Sequence, residues 1–302
     1  MSMRARGPGA GWSWLMGGFS VAKREPWKIL GATVLFALCV GGIVAVQMYM
    51  QLVVKPQGGA MAAMLLAIML VSGIVYPILM GGFMRVLDTG RNAQPVRVSL
   101  LFDPLRSGGG GTRLALFGLC MLLVYVAFLA VLLSTLGHGL LSWYLQLLHQ
   151  QTLGAPMATL PPLPDGFATA LALLTVFFLF YSCTIAIGVG QIALRGQSPL
   201  LALRDGVAGA FKNALPLLVL AVCGLVALVV LAVAFGIGIA ILLLLGMLVS
   251  RILGVVLMTL GYIVLVIFMY AFMMGVNYAI WHDVADGARG DATQSPLPIA
   301  EQ

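Results

Sequence analysis

The side chains able to do acid–base, nucleophilic or metal chemistry in this chain of 302 residues are few: three histidines, nine carboxylates and four cysteines. His138 and His149 stand 11 residues apart. On a helix that puts them nearly on one face but about three turns apart, too far to hold one ion together. His282 and Asp283 are neighbours, so their side chains diverge. No HExxH, no pair of intramembrane carboxylates and no Ser/His/Asp set occurs. Cys39, Cys120, Cys183 and Cys223 each lie in an apolar run without a CxxC or a nearby His, and read as small buried hydrophobes. The Gly108 to Gly111 run lacks the ordered Lys and Ser/Thr of a phosphate-cradling loop. The chain is therefore expected to be non-enzymatic, with no metal and no cofactor.

Composition explains why so little chemistry is on offer. Hydrophobic residues make up 62% and charged residues 8% of the chain, and mean hydropathy is +1.09. A soluble domain carries roughly 25% charge; this chain must take lipid as its main solvent. A helix needs about 20 apolar residues to cross the hydrocarbon. Six runs qualify, near 29–52, 60–84, 114–136, 167–190, 214–245 and 252–281, and six fit better than five or seven. The Gly- and Trp-rich stretch after Arg4 and Arg6 is not a cleaved signal peptide; the first long run is expected to act as an uncleaved anchor.

Charge orients these spans. Of 16 Lys and Arg, 14 fall in segments on one side, and only Lys55 and Arg251 on the other. The positive-inside rule then puts both termini in the cytoplasm. The +7 net charge forms no dense run with interleaved aromatics, so nucleic acid is not the expected partner. Anionic headgroups of membrane lipids at the cytoplasmic face are, with Lys23, Arg24, Arg91, Arg97, Arg106, Arg113, Arg204 and Lys212 as the candidate contacts. Any protein partner is left open. In the outer loop 137–166, residues Gly139 to Gln150 read as a separate helix in the interface, with Trp143 and Tyr144 at headgroup level. Ala155 to Asp165 reads as extended, and Gly108 to Gly111 as a flexible linker.

A repeated order is also visible. Short amphipathic stretches (Trp12, Leu15, Met16 and Phe19; Ser99 to Arg106; Leu200, Leu203, Val207 and Phe211) precede alternate spans. The second span of each pair closes on Tyr76-Pro-Ile-Leu-Met-Gly81, on Tyr181 with Gly188, or on Tyr270-Ala-Phe-Met-Met-Gly275. The expected fold is an all-α integral membrane protein with about six transmembrane helices. They form one membrane domain of three pseudo-repeats of cytoplasmic interfacial helix plus helical hairpin (about 12–90, 98–197 and 198–287), followed by a polar tail, 288–302. Tyr76, Tyr181 and Asn277 are candidate cavity-lining residues. Polar residues within the spans (Gln47, Gln51, Ser72, Ser134, Thr135, Ser182, Thr184, Thr259 and Asn277) are expected to bond between helices. Gly41-Gly42, Gly81-Gly82, Gly236 and Gly238 are expected to serve close packing. The parallel repeats lack the acidic and basic residues that a mitochondrial-carrier signature places after its proline.

Gly11-Trp-Ser-Trp14, Gly18-Phe19, Lys23-Arg-Glu-Pro26 and Pro77-Ile-Leu-Met-Gly-Gly82 resemble a family of uncharacterised proteobacterial inner-membrane proteins grouped as YciC-like. Ser198-Pro-Leu-Leu-Ala-Leu203 with Phe211-Lys-Asn-Ala-Leu-Pro216, and Gly275-Val-Asn-Tyr278 with His282-Asp283, are similar to its recurrent amphipathic helix and its closing segment. That family is distantly similar to the membrane domain attached to some glycerophosphodiester phosphodiesterases. The resemblance implies a multi-helix membrane fold acting at the lipid or envelope level, and carries over no catalytic residue. A binding or scaffold role is the first expectation. A transporter of a neutral or amphipathic small solute is the alternative, and an enzyme of lipid metabolism stands third, because its acid–base groups are not visible.

Overall fold

The computed structural model of the chain describes residues 3–20, 25–152 and 162–286. They are helical, with no strand among them. A short helix α1 (Ala10–Ser20) leads to α2 (Pro26–Tyr49), which runs on as a π-helical turn, Met50–Val54. Then come α3 (Gly59–Arg91) and a 3₁₀ segment, Val98–Leu105. These are followed by α4 (Gly111–Thr152), α5 (Phe167–Arg195) and the short α6 (Pro199–Lys212). The long α7 (Ala214–Val249) and α8 (Arg251–Trp281) end in a π turn, His282–Asp286. Six helices, α2, α3, α4, α5, α7 and α8, are long and apolar enough to cross a membrane. The protein is a polytopic, all-α membrane protein.

Local chemistry sets the breaks. Pro199 opens α6 at a position where its missing N–H costs nothing. Gly196 ends α5 with φ 65°, its N–H bonded back to the Ile192 carbonyl, a left-handed cap suited to glycine. Between α7 and α8, Ser250 is extended and its hydroxyl accepts from the Leu253 N–H at 3.1 Å, which places Arg251 at the turn. The Gly108 to Gly111 stretch is not a slack linker. Gly108 and Gly110 take φ of 79° and 84°, and the Gly109 N–H bonds the Arg106 carbonyl at 2.8 Å.

Residues 139–150 do not form a separate interfacial helix. They continue α4, which reaches 42 residues, about 63 Å at 1.5 Å per residue against a hydrocarbon core of roughly 30 Å. Gly137 and Gly139 look like a break in sequence, yet each costs only about 1 kcal/mol inside a helix, and no proline interrupts α4. Trp143 packs 6.0 Å from Phe167 at the start of α5. The extended reading of 155–165 falls largely outside the described residues, as does the tail.

The core is confined to one end of the bundle, the end that carries the short elements. There α3, α5 and α8 meet one another, and their buried residues (Ile78, Phe83 and Leu87; Ile187 and Ile192; Met274 and Trp281) fill the centre. Towards the other end the helices expose their apolar faces, and few residues in the middle of α7 and α8 are buried. Gly41, Gly42, Gly236 and Gly238 accordingly have nothing nearby and do not serve packing; Gly81 and Gly82 do. The hydroxyls expected to link helices mostly turn back on their own. Ser134, Thr135, Ser182, Thr184 and Thr259 each bond a carbonyl three or four residues earlier.

The 3₁₀ segment and α6 each pack chiefly on the hairpin that precedes them, and α1 packs on the last hairpin of the chain. The 3₁₀ segment lies on α3 and α2, α6 on α5 and α4, and α1 on α8 and α7. The contacts therefore run in a cycle, offset by one hairpin from the grouping that chain order suggests. The position six residues after each tyrosine makes the decisive contact. After Tyr76 it is Gly82, pressed against the Leu101 backbone. After Tyr181 it is Ile187 against Gly209, and after Tyr270 it is Val276 against Gly18. One partner of each pair is a glycine, on the long helix once and on the short element twice. Replacing Gly82 by Val drives a branched side chain into main chain that cannot rotate away. It should cost about 3 kcal/mol, the upper end for overpacking, while Gly236→Val should change little. Thermal unfolding in detergent checks this; equal midpoints would refute the packing role.

Candidate functional site

At the end with the short elements, the three central helices are tied by a ring of polar contacts. Arg85 of α3 donates from Nε to the Ala193 carbonyl of α5 at 3.1 Å, and from Nη2 to the Gly109 carbonyl at 2.8 Å. Arg195 of α5 donates to the Ala285 carbonyl beyond α8 at 2.8 Å, and its guanidinium lies 5.6 Å from the Trp281 ring. Tyr278 of α8 donates to Asp88 Oδ1 of α3 at 2.9 Å, closing the ring. Carbonyls in a last helical turn lack intrahelical donors and carry the negative end of the helix dipole. An arginine from the next helix is the natural partner. Among the buried residues of this hub, Gln191 is fully enclosed, with its side-chain amide unpartnered among the described residues.

The leading segment, residues 3–6, is clasped onto this end. The Arg6 N–H donates to Asn213 Oδ1 at 2.8 Å, and Asn213 Nδ2 donates to the Arg4 and Gly209 carbonyls, both at 2.9 Å. Arg6 pairs with Asp283 at 2.6 Å, and Trp14 Nε1 donates to the other carboxylate oxygen at 2.9 Å. One aspartate thus joins α1, the leading segment and the turn after α8.

The candidate cations divide by environment. Lys23 and Arg24 lie outside the described residues. Arg113, in the first turn of α4, donates to the Gly196 carbonyl, and Lys212 donates to the Met3 carbonyl at 3.3 Å; both are ties within the fold. Arg106 pairs locally with Asp103 at 3.2 Å, and Arg204 sits 3.7 Å from Asp205, yet both remain about 70% exposed. Arg91 and Arg97 are exposed where α3 gives way to the 3₁₀ segment.

Of the cavity candidates, Tyr76 and Tyr181 line one cleft of about 460 Å³ between α2, α3, α4 and α5, together with Gln47, Ser72 and Tyr125. Asn277, on α8, is not in its wall. Tyr181 donates to the Met121 carbonyl at 3.3 Å. Pro77 also lines the cleft and has no N–H, so the Gly73 carbonyl one turn earlier lacks its helical donor. Gly118 of α4 comes against that carbonyl, an approach that a side chain would block. Arg6, Arg85, Arg195, Asn213 and Asp283 were not singled out from sequence. The available signals were a cation in the last turn of a long helix, and an asparagine between α6 and Pro216.

Asn213 is fully buried while Arg6 is partly exposed. Asn213→Ala leaves donor and acceptor groups unpaired, and should weaken the clasp by about 1–3 kcal/mol, more than Arg6→Ala. Amide hydrogen exchange over residues 3–20 reads this; equal protection in both variants would contradict it. Comparison of the chain with family models, curated proteins and solved structures finds no match.

Proposed function

We propose that this protein is a non-enzymatic component of a bacterial inner membrane that binds lipid, or scaffolds partners, at the envelope level through its basic end. One observation carries the reading: all three short elements expose apolar side chains at the same end, and two of them do so beside exposed cations. On α1 these are Trp12, Met16 and Phe19; on the 3₁₀ segment, Leu105 between Arg97 and Arg106; on α6, Leu200 and Phe211 with Arg204. Aromatic or leucine side chains next to arginine suit the boundary between headgroups and acyl chains. The likeness to YciC-like proteins agrees with this, and the positive-inside rule supports a cytoplasmic setting for both termini.

Basic residues near an anionic surface contribute about 1 kcal/mol each. Arg113 is omitted from the test because it ties α4 to α5. Changing Arg91, Arg97 and Arg106 to Gln together should lower the ratio of anionic to zwitterionic lipid retained in native-lipid discs by at least about tenfold at low salt. Mass spectrometry of the retained lipid measures it, and an unchanged ratio rejects the reading. Orientation is tested by a single cysteine at Ser99, in a chain without its four native cysteines. A membrane-impermeant thiol reagent should reach it only in inverted vesicles; labelling in intact cells would reverse the topology.

The Tyr76–Tyr181 cleft favours a second reading, a transporter of a neutral or amphipathic solute. Solute flux in proteoliposomes no greater than in protein-free vesicles would remove it.

A further inference from the structure

Gln47, Ser72, Tyr76 and Tyr125 line the same cleft, and their side chains make no hydrogen bond within the described residues. No charged residue lines the cleft. Tyr76 lies near the middle of α3, about 22 Å from Arg91 at 1.5 Å per residue, and Tyr181 lies midway along α5. The site therefore falls at hydrocarbon depth. Unpaired hydroxyl and amide groups there cost on the order of 1–3 kcal/mol each, because no water competes to satisfy them.

The groups are held ready. Tyr76 packs edge-on against Phe36, with centroids 5.9 Å apart. Tyr125 lies 6.1 Å from Tyr181, which stacks on Phe177 at 5.2 Å. The wall is not closed, since Gln47, Met69 and Tyr125 stay partly exposed. The volume is within the usual range of roughly 300–1,000 Å³ for small-molecule sites. An anionic headgroup would find no counter-charge, and a water-soluble molecule would first have to cross acyl chains. A lipid enters sideways.

We infer that this cleft binds an uncharged lipid whose carbonyl or hydroxyl oxygens meet Ser72, Tyr76, Tyr125 and Gln47 while its apolar tail leaves towards the bilayer. That chemistry belongs both to diacylglycerol-type glycerolipids and to isoprenoid quinones. The site is separate from the basic end and does not depend on the role proposed for it.

The full chain in phosphatidylcholine nanodiscs, titrated separately with dioleoylglycerol, ubiquinone-2 and dioleoylphosphatidylglycerol, tests the assignment by native mass spectrometry. At least one uncharged lipid should saturate at one molecule per chain. The triple variant S72A/Y76F/Y125F, which removes hydroxyls with little change of shape, should weaken that binding by at least about tenfold and leave the unfolding midpoint unchanged. Q47L, at a partly exposed position of α2, should weaken it by a smaller factor, and stands in if the triple variant does not fold. Saturation by dioleoylglycerol alone assigns a glycerolipid, and by ubiquinone-2 alone a quinone. Three results overturn the inference: neither uncharged lipid saturates, the variants bind like the parent, or the triple variant reduces phosphatidylglycerol binding as strongly. The arginine variants of the basic end should leave uncharged-lipid binding untouched, so failure of either reading shows separately.

Discussion

Lipid tails are as apolar as leucine, so helices inside a bilayer gain little by burying leucine against one another. Association has to come from close contact and from polar groups that satisfy each other. This chain concentrates both at one end. Gly82, Gly209 and Gly18 each let a short element approach a long helix at the same distance past a tyrosine. Steric fit is kept while glycine changes sides of the contact. In the first pair the short element supplies the bulk (Leu101) and the long helix the hollow; in the other two the roles are reversed. What is common to the three hairpins is a complementary pair rather than a residue.

Charge follows the same division. Near the membrane surface Arg85, Arg195, Arg6 and Asp283 can be partly hydrated, so strong ties are possible without the full cost of dehydrating an ion. Within the hydrocarbon no charge is used, and α7 and α8 meet through apolar contacts, Phe235 against Phe268 among them. The bundle is thus fastened at one end and loosely packed at the other. The cleft at Tyr76 and Tyr125 opens where the tight packing stops, just past the kink-prone Pro77 and the crossing at Gly118.

Much of the architecture was legible in the sequence. Span length gave the six long helices, because hydropathy is a local property. The length of α4 was not legible. Two glycines looked like a boundary, but helix persists wherever nothing else offers the backbone its hydrogen bonds. The glycines at 41–42 and 236–238 misled for a different reason: their packing value depends on which neighbour faces them, and none does. The ring of ties was hidden because a hydrogen bond from arginine to a distant carbonyl leaves no mark at the accepting residue. Any residue type supplies a carbonyl, and Ala193 and Ala285 look like nothing in particular. The tyrosine pair could be named from its position in the spans, while Ser72 and Gln47 resembled the other intramembrane polar residues until the structure showed that the hydroxyls among those bond their own helices.

The docking of α1 on α7 and α8 sets a timetable for biogenesis. During synthesis α1 leaves the ribosome well before the hairpin that will hold it, so its Trp12, Trp14 and Phe19 must wait at the membrane surface while four spans are inserted. The 3₁₀ segment and α6 find their hairpins already made. Closure of the cycle is consequently the last event and a test of completeness. A chain that stops before α8 leaves α1 and the leading segment without their common anchor at Asp283, with an aromatic helix undocked at the membrane surface.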